Sequence, residues 1–289
     1  MGMILLVAII AFAVYTIKKK QYEKTEYYLQ TKNPYRSLRF DKGRLGEFCT
    51  YKFLKLLDGY RKFLFNVYLP KENGDTTKID IIFLHESGIY VFESKNYSGW
   101  IFGTETQQYW TQTLPIGRGK TKKSKFFNPI IQNKVHLKWL QQFLEYERQL
   151  PFYSYIIFSD RCTLKDITLT SGSHFVINRY NILSAVQSNS ANVGIQLTPK
   201  EIDNLYEKLY PFTQIDEAQK LAHVENIHRK QQAITNVAGM RCPRCGGILV
   251  IRTATKGNRQ GKKFLGCSNY PRCKYIENIS GEADSREKL

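Results

Sequence analysis

The sequence predicts an α/β protein: a mixed β-sheet flanked by helices, preceded by a long apolar segment and followed by a small four-cysteine module. Three observations carry this. Stretches rich in β-branched and aromatic residues interleave with stretches whose apolar side chains recur every three to four positions. The first seventeen residues carry no charged side chain, and four of the six cysteines fall between positions 242 and 273. A chain of 289 residues with 42% hydrophobic and 13% aromatic content has material for one sizeable core plus small modules, which excludes global disorder. Its formal charge of +18 points to a polyanionic partner, nucleic acid or an acidic membrane surface, and does not choose between them.

Met1 to Ile17 read MGMILLVAIIAFAVYTI, and Lys18, Lys19 and Lys20 follow at once. Seventeen helical residues cover roughly 26 Å, the short end of what crosses a hydrocarbon core, and lysine stems can snorkel. Residues 1–20 are therefore expected to be a single-pass membrane anchor meeting the bilayer through residues 1–17. Ala11-Phe12-Ala13 faintly resembles a signal-peptide cleavage site, but such peptides carry their positive charge before the apolar run. A buried core helix is the bland alternative. The positive-inside rule leaves everything after Lys18 cytoplasmic.

Residues 21–36 read as a juxtamembrane spacer or short helix. Leu45, Phe48, Phe53 and Leu56 then predict a helix over about 43–57. Ile79–Leu84 and Ile89–Lys95 read as strands joined by the turn His85-Glu-Ser-Gly88, with a further strand after Gly99-Trp100. Residues 118–125 (RGKTKKSK) hold five basic residues in eight. Asn128-Pro129 opens a helix running to about residue 148, and strands are expected at 153–159 and 175–178. Thr198-Pro-Lys-Glu201 is a capping box starting a helix to about Tyr210. These elements make one domain over 37–213. A charged helical linker (214–239), the cysteine module (240–280) and a polar tail (281–289) complete the expected organisation.

Period-two alternation puts Glu93 and Lys95 on one strand face and turns Ser94 away. With a four-residue turn at 85–88, antiparallel counting pairs Leu84 with Ile89 and, four steps on, Asp80 with Glu93, their Cβ atoms about 5 Å apart. Two carboxylates so placed repel unless a divalent cation lies between them, and Mg²⁺ prefers one or two carboxylates with water and phosphate. A lysine beside that ion can orient or help deprotonate the attacking water. An edge strand bearing a solvated Glu and Lys fits the spacing as well.

The ordered set Gly46-Glu47, Asp80, Gly88, Glu93, Lys95, Asn96, Gly99, Asn128-Pro129 and Gln132 resembles the nuclease-related domain family, a branch of the PD-(D/E)xK nuclease-like superfamily, over about residues 37–185. The resemblance implies a PD-(D/E)xK-like central mixed sheet flanked by helices. It makes Asp80 and Glu93 ligands of Mg²⁺ or Mn²⁺, Lys95 the catalytic lysine, Glu47 an additional acid and Gln132 a polar group near the site. The bland alternative for Glu47 is an exposed first-turn residue favoured by the helix dipole, and Gln132 could equally be a solvent-facing or capping side chain. His85 and His136 read as ordinary histidines.

Cys242-Pro-Arg-Cys245 and, 21 residues later, Cys267-Ser-Asn-Tyr-Pro-Arg-Cys273 supply four thiolates, a closed set for structural Zn²⁺. The run from Cys242 to Cys273 resembles the C-terminal zinc ribbon of type IA DNA topoisomerases, which implies binding of single-stranded DNA. Between Arg241 and Tyr275 nine Lys or Arg face no acidic residue, so four thiolates and one divalent ion leave a charge of +7. Phe264, Tyr270 and Tyr275 interleave with that charge, as stacking platforms do, or form the ribbon's small core. Together these features lead to the expectation of a membrane-anchored, metal-dependent DNA nuclease. A non-catalytic, membrane-tethered DNA-binding protein is the alternative; a lipid-binding basic patch leaves the acid-free ribbon unexplained.

Overall fold

The computed structural model describes residues 2–72, 74–145, 150–237, 240–254 and 263–278. The chain divides into two compact units, Met1–Ile215 and Asp216–Leu289.

The first unit begins with helix α1, Gly2–Glu23, which is long and apolar enough to cross a membrane, with a mean hydropathy of 1.9 and none of its apolar window buried. The helix continues past the lysines, and Tyr22 is buried against Tyr27, Tyr28, Tyr35 and Phe48. Residues 21–36, expected as a spacer or short helix, contain a short helix and send Tyr22, Tyr27 and Gln30 into the core. Helix α2, Glu26–Thr31, buries Tyr27 completely, while Gln30 donates to the Phe63 carbonyl and accepts from the Phe65 amide. Helix α3, Lys42–Leu54, starts at Asp41, whose carboxylate caps the amides of Gly43 and Arg44.

The main sheet comprises β1 (Arg61–Pro70), β2 (Thr76–His85), β3 (Gly88–Lys95), β7 (Phe152–Phe158) and β9 (His174–Asn178) in the order β1-β2-β3-β7-β9. The first three are antiparallel, and β7 and β9 run parallel to β3. Strand β1 is absent from the sequence reading, and its apolar pattern explains why. Phe63 and Phe65 pack on one side of the sheet, but Leu64 and Val67 both pack on the other, so the alternation resets at Asn66, whose φ is +52°. Ile79 and Ile82 on β2 break step in the same way. Alpha-helices cover both faces: α3 and α5 (Ile182–Val193) on one, α4 (Pro129–Leu144) and α6 (Pro199–Leu209) on the other. Helix α4 stops short of the expected end, and residues 146–149 lie outside those described.

A second sheet, in the order β6-β5-β4-β8, lies between β3 and α4 in the chain, with β8 joining after β7. It holds β4 (Gly99–Thr104), β5 (Tyr109–Gly117), β6 (Lys120–Phe127) and β8 (Cys162–Thr168). The basic stretch at 118–125 thus forms the tip and outer strand of a hairpin. Asn128 joins this sheet to α4: its side-chain oxygen caps the Ile130 amide and its NH₂ donates to the carbonyls of Thr104, Glu105 and Gln107.

In the second unit α7 (Glu217–Val237) precedes a three-stranded sheet, β10 (Leu249–Thr253), β11 (Lys263–Cys267) and β12 (Ile276–Asn278). Lys256, Arg259 and Lys262 of the ribbon, and the expected tail at 281–289, lie outside the described residues.

Glu105, 4% exposed, ties the second sheet to its surroundings. Its carboxylate accepts from the amides of Thr170 (2.8 Å) and Ser171 (2.9 Å) and from Lys134 Nζ (3.0 Å). Burial opposes its charge, yet these donors hold the carboxyl well below the usual range. A depressed carboxyl stabilises the fold above the unfolded-state value and loses that contribution as pH falls. Glu105→Gln should therefore cost about 1.5–3 kcal/mol at neutral pH. Calorimetry should show its melting temperature converging on the parent's as pH drops below about 4.3, the unperturbed glutamate value.

Candidate nuclease-like site and zinc ribbon

The hairpin that carries the candidate site pairs Leu84 with Ile89, Phe83 with Tyr90, Ile82 with Val91 and Ile81 with Phe92, as counted from the sequence. It differs at both ends. His85 also pairs with Gly88, so the turn is two residues, Glu86-Ser87, in place of four. His85 is structural, its ring bridging Ser87 Oγ (2.7 Å) and the Asp58 carbonyl (2.8 Å). At the other end pairing stops at Ile81–Phe92, and the expected Asp80–Glu93 pair does not form. The reset at Asn66 is the reason: neither β1 nor β3 pairs Asp80, and its side chain follows Lys78 toward α3.

Two charge clusters result. In the first, Lys78 Nζ lies 3.2 Å from Glu47 Oε1 and 3.1 Å from Asp80 Oδ1. Glu47, 5% exposed, also accepts from Tyr27 Oη (3.1 Å) and Asn66 Nδ2 (3.4 Å). Its helix approaches β3 closely because position 46 is glycine; a Cβ there would stand 3.0 Å from Ser94 Oγ and 3.1 Å from Asn96 Cβ. Burial raises the Glu47 carboxyl above its ordinary value despite Lys78. Asp80 Oδ2 accepts from the Ser94 amide at 3.3 Å.

In the second cluster Lys95 Nζ lies 2.6 Å from Glu93 Oε1 and donates to Gln132 Oε1 at 3.1 Å. His136 Nε2 lies 3.2 Å from Glu93 Oε2, outside the alignment of a straight hydrogen bond, and its Nδ1 lies 2.8 Å from Thr77 Oγ1. Glu93 is 2% exposed; burial opposes its charge, but Lys95 and then His136 bring the carboxyl down to about 2. Burial likewise opposes the Lys95 charge, and Glu93, with a smaller contribution from Asp80, holds it above its usual value.

Glu47 and Asp80 thus share the Lys78 ammonium, and Glu93 and Gln132 share that of Lys95. Asp80 is drawn toward α3 and Glu93 toward α4, so the two carboxylates have different cationic partners in this arrangement. Two neighbours were missed from sequence. Lys78 sits two residues before Asp80, hence on the same strand face, and His136 sits one helical turn after Gln132. Those spacings were the available signals.

The cysteine cluster needs no adjustment. Ligand atoms of Cys242, Cys245, Cys267 and Cys273 all lie within 4.8 Å of one another, the sole set of three or more His, Cys, Asp or Glu found so among the described residues. The Cys242–Cys273 and Cys245–Cys267 sulfur separations are 3.8 and 3.3 Å. Four sulfurs about 2.3 Å from one Zn²⁺ stand about 3.8 Å apart in a tetrahedron, so the donor set fits structural zinc with no ligand position left over. The Asn269 amide donates to Cys267 Sγ. Tyr270 is 60% exposed with Arg252 5.4 Å over its ring, while Tyr275 packs against the cysteine core.

Comparison with known proteins agrees with both parts. The nuclease-related domain model matches residues 42–159, and the topoisomerase DNA-binding C4 zinc finger model matches residues 239–281. An uncharacterised protein of Bacillus anthracis is 34% identical over 190 residues, covering 65% of this chain and 85% of that protein. DNA topoisomerase 1 of Helicobacter pylori is 38% identical over 79 residues, 26% of this chain and 9% of the enzyme. An uncharacterised Escherichia coli protein is 46% identical over 43 residues, 15% of this chain and 21% of that protein. The chain spans only a small part of the topoisomerase. No solved structure matches. The chain belongs to the nuclease-related domain family, with a topoisomerase-type zinc ribbon in its second unit.

Elemental analysis should find one zinc per chain, and Cys267→Ser should lower it to well under one. Chelation should release the metal while leaving the melting of the first unit unchanged.

Proposed function

We propose that the protein is a metal-dependent DNA nuclease tethered to the cytoplasmic face of a membrane, with a PD-(D/E)xK-type catalytic domain and a ribbon that captures DNA, preferentially single-stranded. The observation that carries the reading is the gathering of Glu47, Asp80, Glu93 and Gln132 around two half-buried ammonium groups, Lys78 and Lys95, at the end of one hairpin. The donor set fits a divalent cation in two respects. Glu93 Oε2 is buried without an aligned hydrogen bond, and Glu47 and Asp80 already converge on a positive centre, the Lys78 ammonium. Asp80 and Glu93, aided by Glu47, would hold Mg²⁺ or Mn²⁺ once Asp80 turns from Lys78 toward Glu93, and the bound ion would polarise a phosphodiester and acidify water. Lys95 is placed to orient the nucleophile, and Gln132 fixes its ammonium.

The Zn²⁺ site has a structural part and leaves the chemistry to the hairpin. Helix α1 supports the anchor, with the N-terminus outside and both units inside, through its uncharged run ending in three lysines. One observation favours a second reading, a tethered DNA-binding protein without catalysis: Asp80 and Glu93 engage different lysines on different sides of the sheet end.

Incubating the full chain in detergent with DNA separates the two. Cleavage dependent on Mg²⁺ or Mn²⁺ and stopped by chelation is expected; DNA binding without cleavage under any divalent ion favours the second reading. Asp80→Asn and Glu93→Gln should weaken both Mn²⁺ binding and cleavage. Lys95→Ala should leave Mn²⁺ and DNA binding largely intact while cleavage falls about 10²- to 10⁴-fold. Ser94→Ala, whose hydroxyl faces α3, should be near neutral. Reporter fusions at the two termini should place the N-terminus outside; a C-terminus outside would overturn the topology.

A further inference from the structure

The second sheet has one face that the site does not use. Directly opposed residues of paired strands share a face. Trp100 pairs with Thr113 and Thr113 with Lys123; Phe102 pairs with Thr111 and Thr111 with Lys125; Tyr109 pairs with Phe127. These residues therefore stand together, while Ile101, Trp110 and Phe126 on the reverse side enter the core with Phe158. Trp100, Tyr109 and Phe127 are 37%, 45% and 40% exposed, and Lys123 and Lys125 are exposed. Leaving three large rings in water is costly for a surface with no partner.

We propose that this face is a platform for single-stranded nucleic acid, stacking unpaired bases on Trp100, Tyr109 and Phe127 and neutralising phosphates with Lys123 and Lys125. The inference rests on the reading of the chain as DNA-binding and adds a second contact surface, in the first unit, to the ribbon. Three observations favour this occupant. Rings in rows with lysines form the combination that binds single strands, because every base offers a π-face and every linkage a charge. From Thr106 to Leu144 the chain has seven basic residues and no acidic one, so the hairpin itself contributes only positive charge. The middle row is the polar pair Thr111 and Thr113 between the rings and the lysines, which suits a phosphate-bearing strand better than acyl chains. Asp166, paired with Phe102 on β8, limits the platform on that side.

The test uses the full chain in detergent, fluorescence anisotropy with labelled oligo(dT), a duplex of equal length, and phosphatidylglycerol vesicles as competitor. Trp100→Ala should weaken oligo(dT) binding by about 5- to 150-fold, the range expected for one lost stack, and Trp100→Phe should retain most of the affinity. The double variant Lys123→Gln/Lys125→Gln, confined to exposed side chains, should reduce the slope of log affinity against log salt by about 1.4 and leave the melting temperature unchanged. Unchanged oligo(dT) binding in the alanine and double-glutamine variants, with Cys267→Ser abolishing it, would overturn the platform and leave the ribbon as the DNA site. Loss of vesicle binding with DNA binding intact would overturn it in favour of lipid. Failure of the parent chain to bind any nucleic acid would sink the DNA-binding reading itself, and the platform with it.

Discussion

The buried Glu93 carboxylate is the constraint on which the arrangement of the first unit depends. Moving an ion out of water costs several kcal/mol even after relaxation, and a hydrophobic pair of the same volume would do as well for stability. The structure meets the cost with partners from two elements: Lys95 from the same strand, and His136 from α4, whose Gln132 in turn holds Lys95. Helix α4 must then start at a fixed point. Asn128 provides it, capping the helix with its oxygen and binding three carbonyls of the second sheet with its nitrogen. Position of the second sheet and position of the candidate site are thus consequences of one helix start.

The reset of the pleat at Asn66 does complementary work on the other side. A strand in regular register would aim Asp80 and Glu93 at the same helix, where two carboxylates and one lysine would carry net negative charge in a desolvated setting. Breaking the alternation sends Asp80 toward α3, where it shares the Lys78 ammonium with Glu47. The Glu93 cluster sets one carboxylate against one ammonium, whereas the other sets Glu47 and Asp80 against Lys78 alone, and burial raises the Glu47 carboxyl. A divalent ion binding here would compete with ammonium groups already in place, so its affinity and the mobility of Lys78 and Lys95 would be coupled quantities.

Much of this was legible in the sequence, and the omissions have physical causes. The β2–β3 hairpin and its inner register followed from alternation and the Gly88 turn, and the α4 start from Asn128-Pro129. Strand β1 was not read because Leu64 and Val67 face the same way, so its run carries no clean period. Strand β8 has the hydrophilic sequence CTLKDIT and is set by pairing with β4 rather than by its own pattern. Residues 21–36 look like a polar spacer, yet Tyr27 and Gln30 are buried because they meet β1, an element distant in sequence. The cysteine cluster was fully readable, since ligand type and spacing determine it without tertiary context. Lys78 and His136 required knowing which charges needed neutralising, information held in the packing.

The net charge of +18 was ambiguous as a total and becomes informative through its distribution. Three lysines directly follow the apolar run within α1, where the proposed anchor would account for them. The remaining excess is concentrated in two long acid-free runs, one through the β5–β6 hairpin and one through the ribbon, and both place aromatic side chains among the cations. A surface kept basic only for solubility has no reason to exclude every carboxylate over 39 consecutive residues while exposing rings beside them. A chain that must hold phosphates and bases has that reason, because each acidic side chain near the platform would repel the backbone its lysines attract. The carboxylates of the candidate site, Glu47, Asp80 and Glu93, lie outside both acid-free runs and are held against lysines, so the basic surfaces and the buried acids occupy separate stretches of the chain.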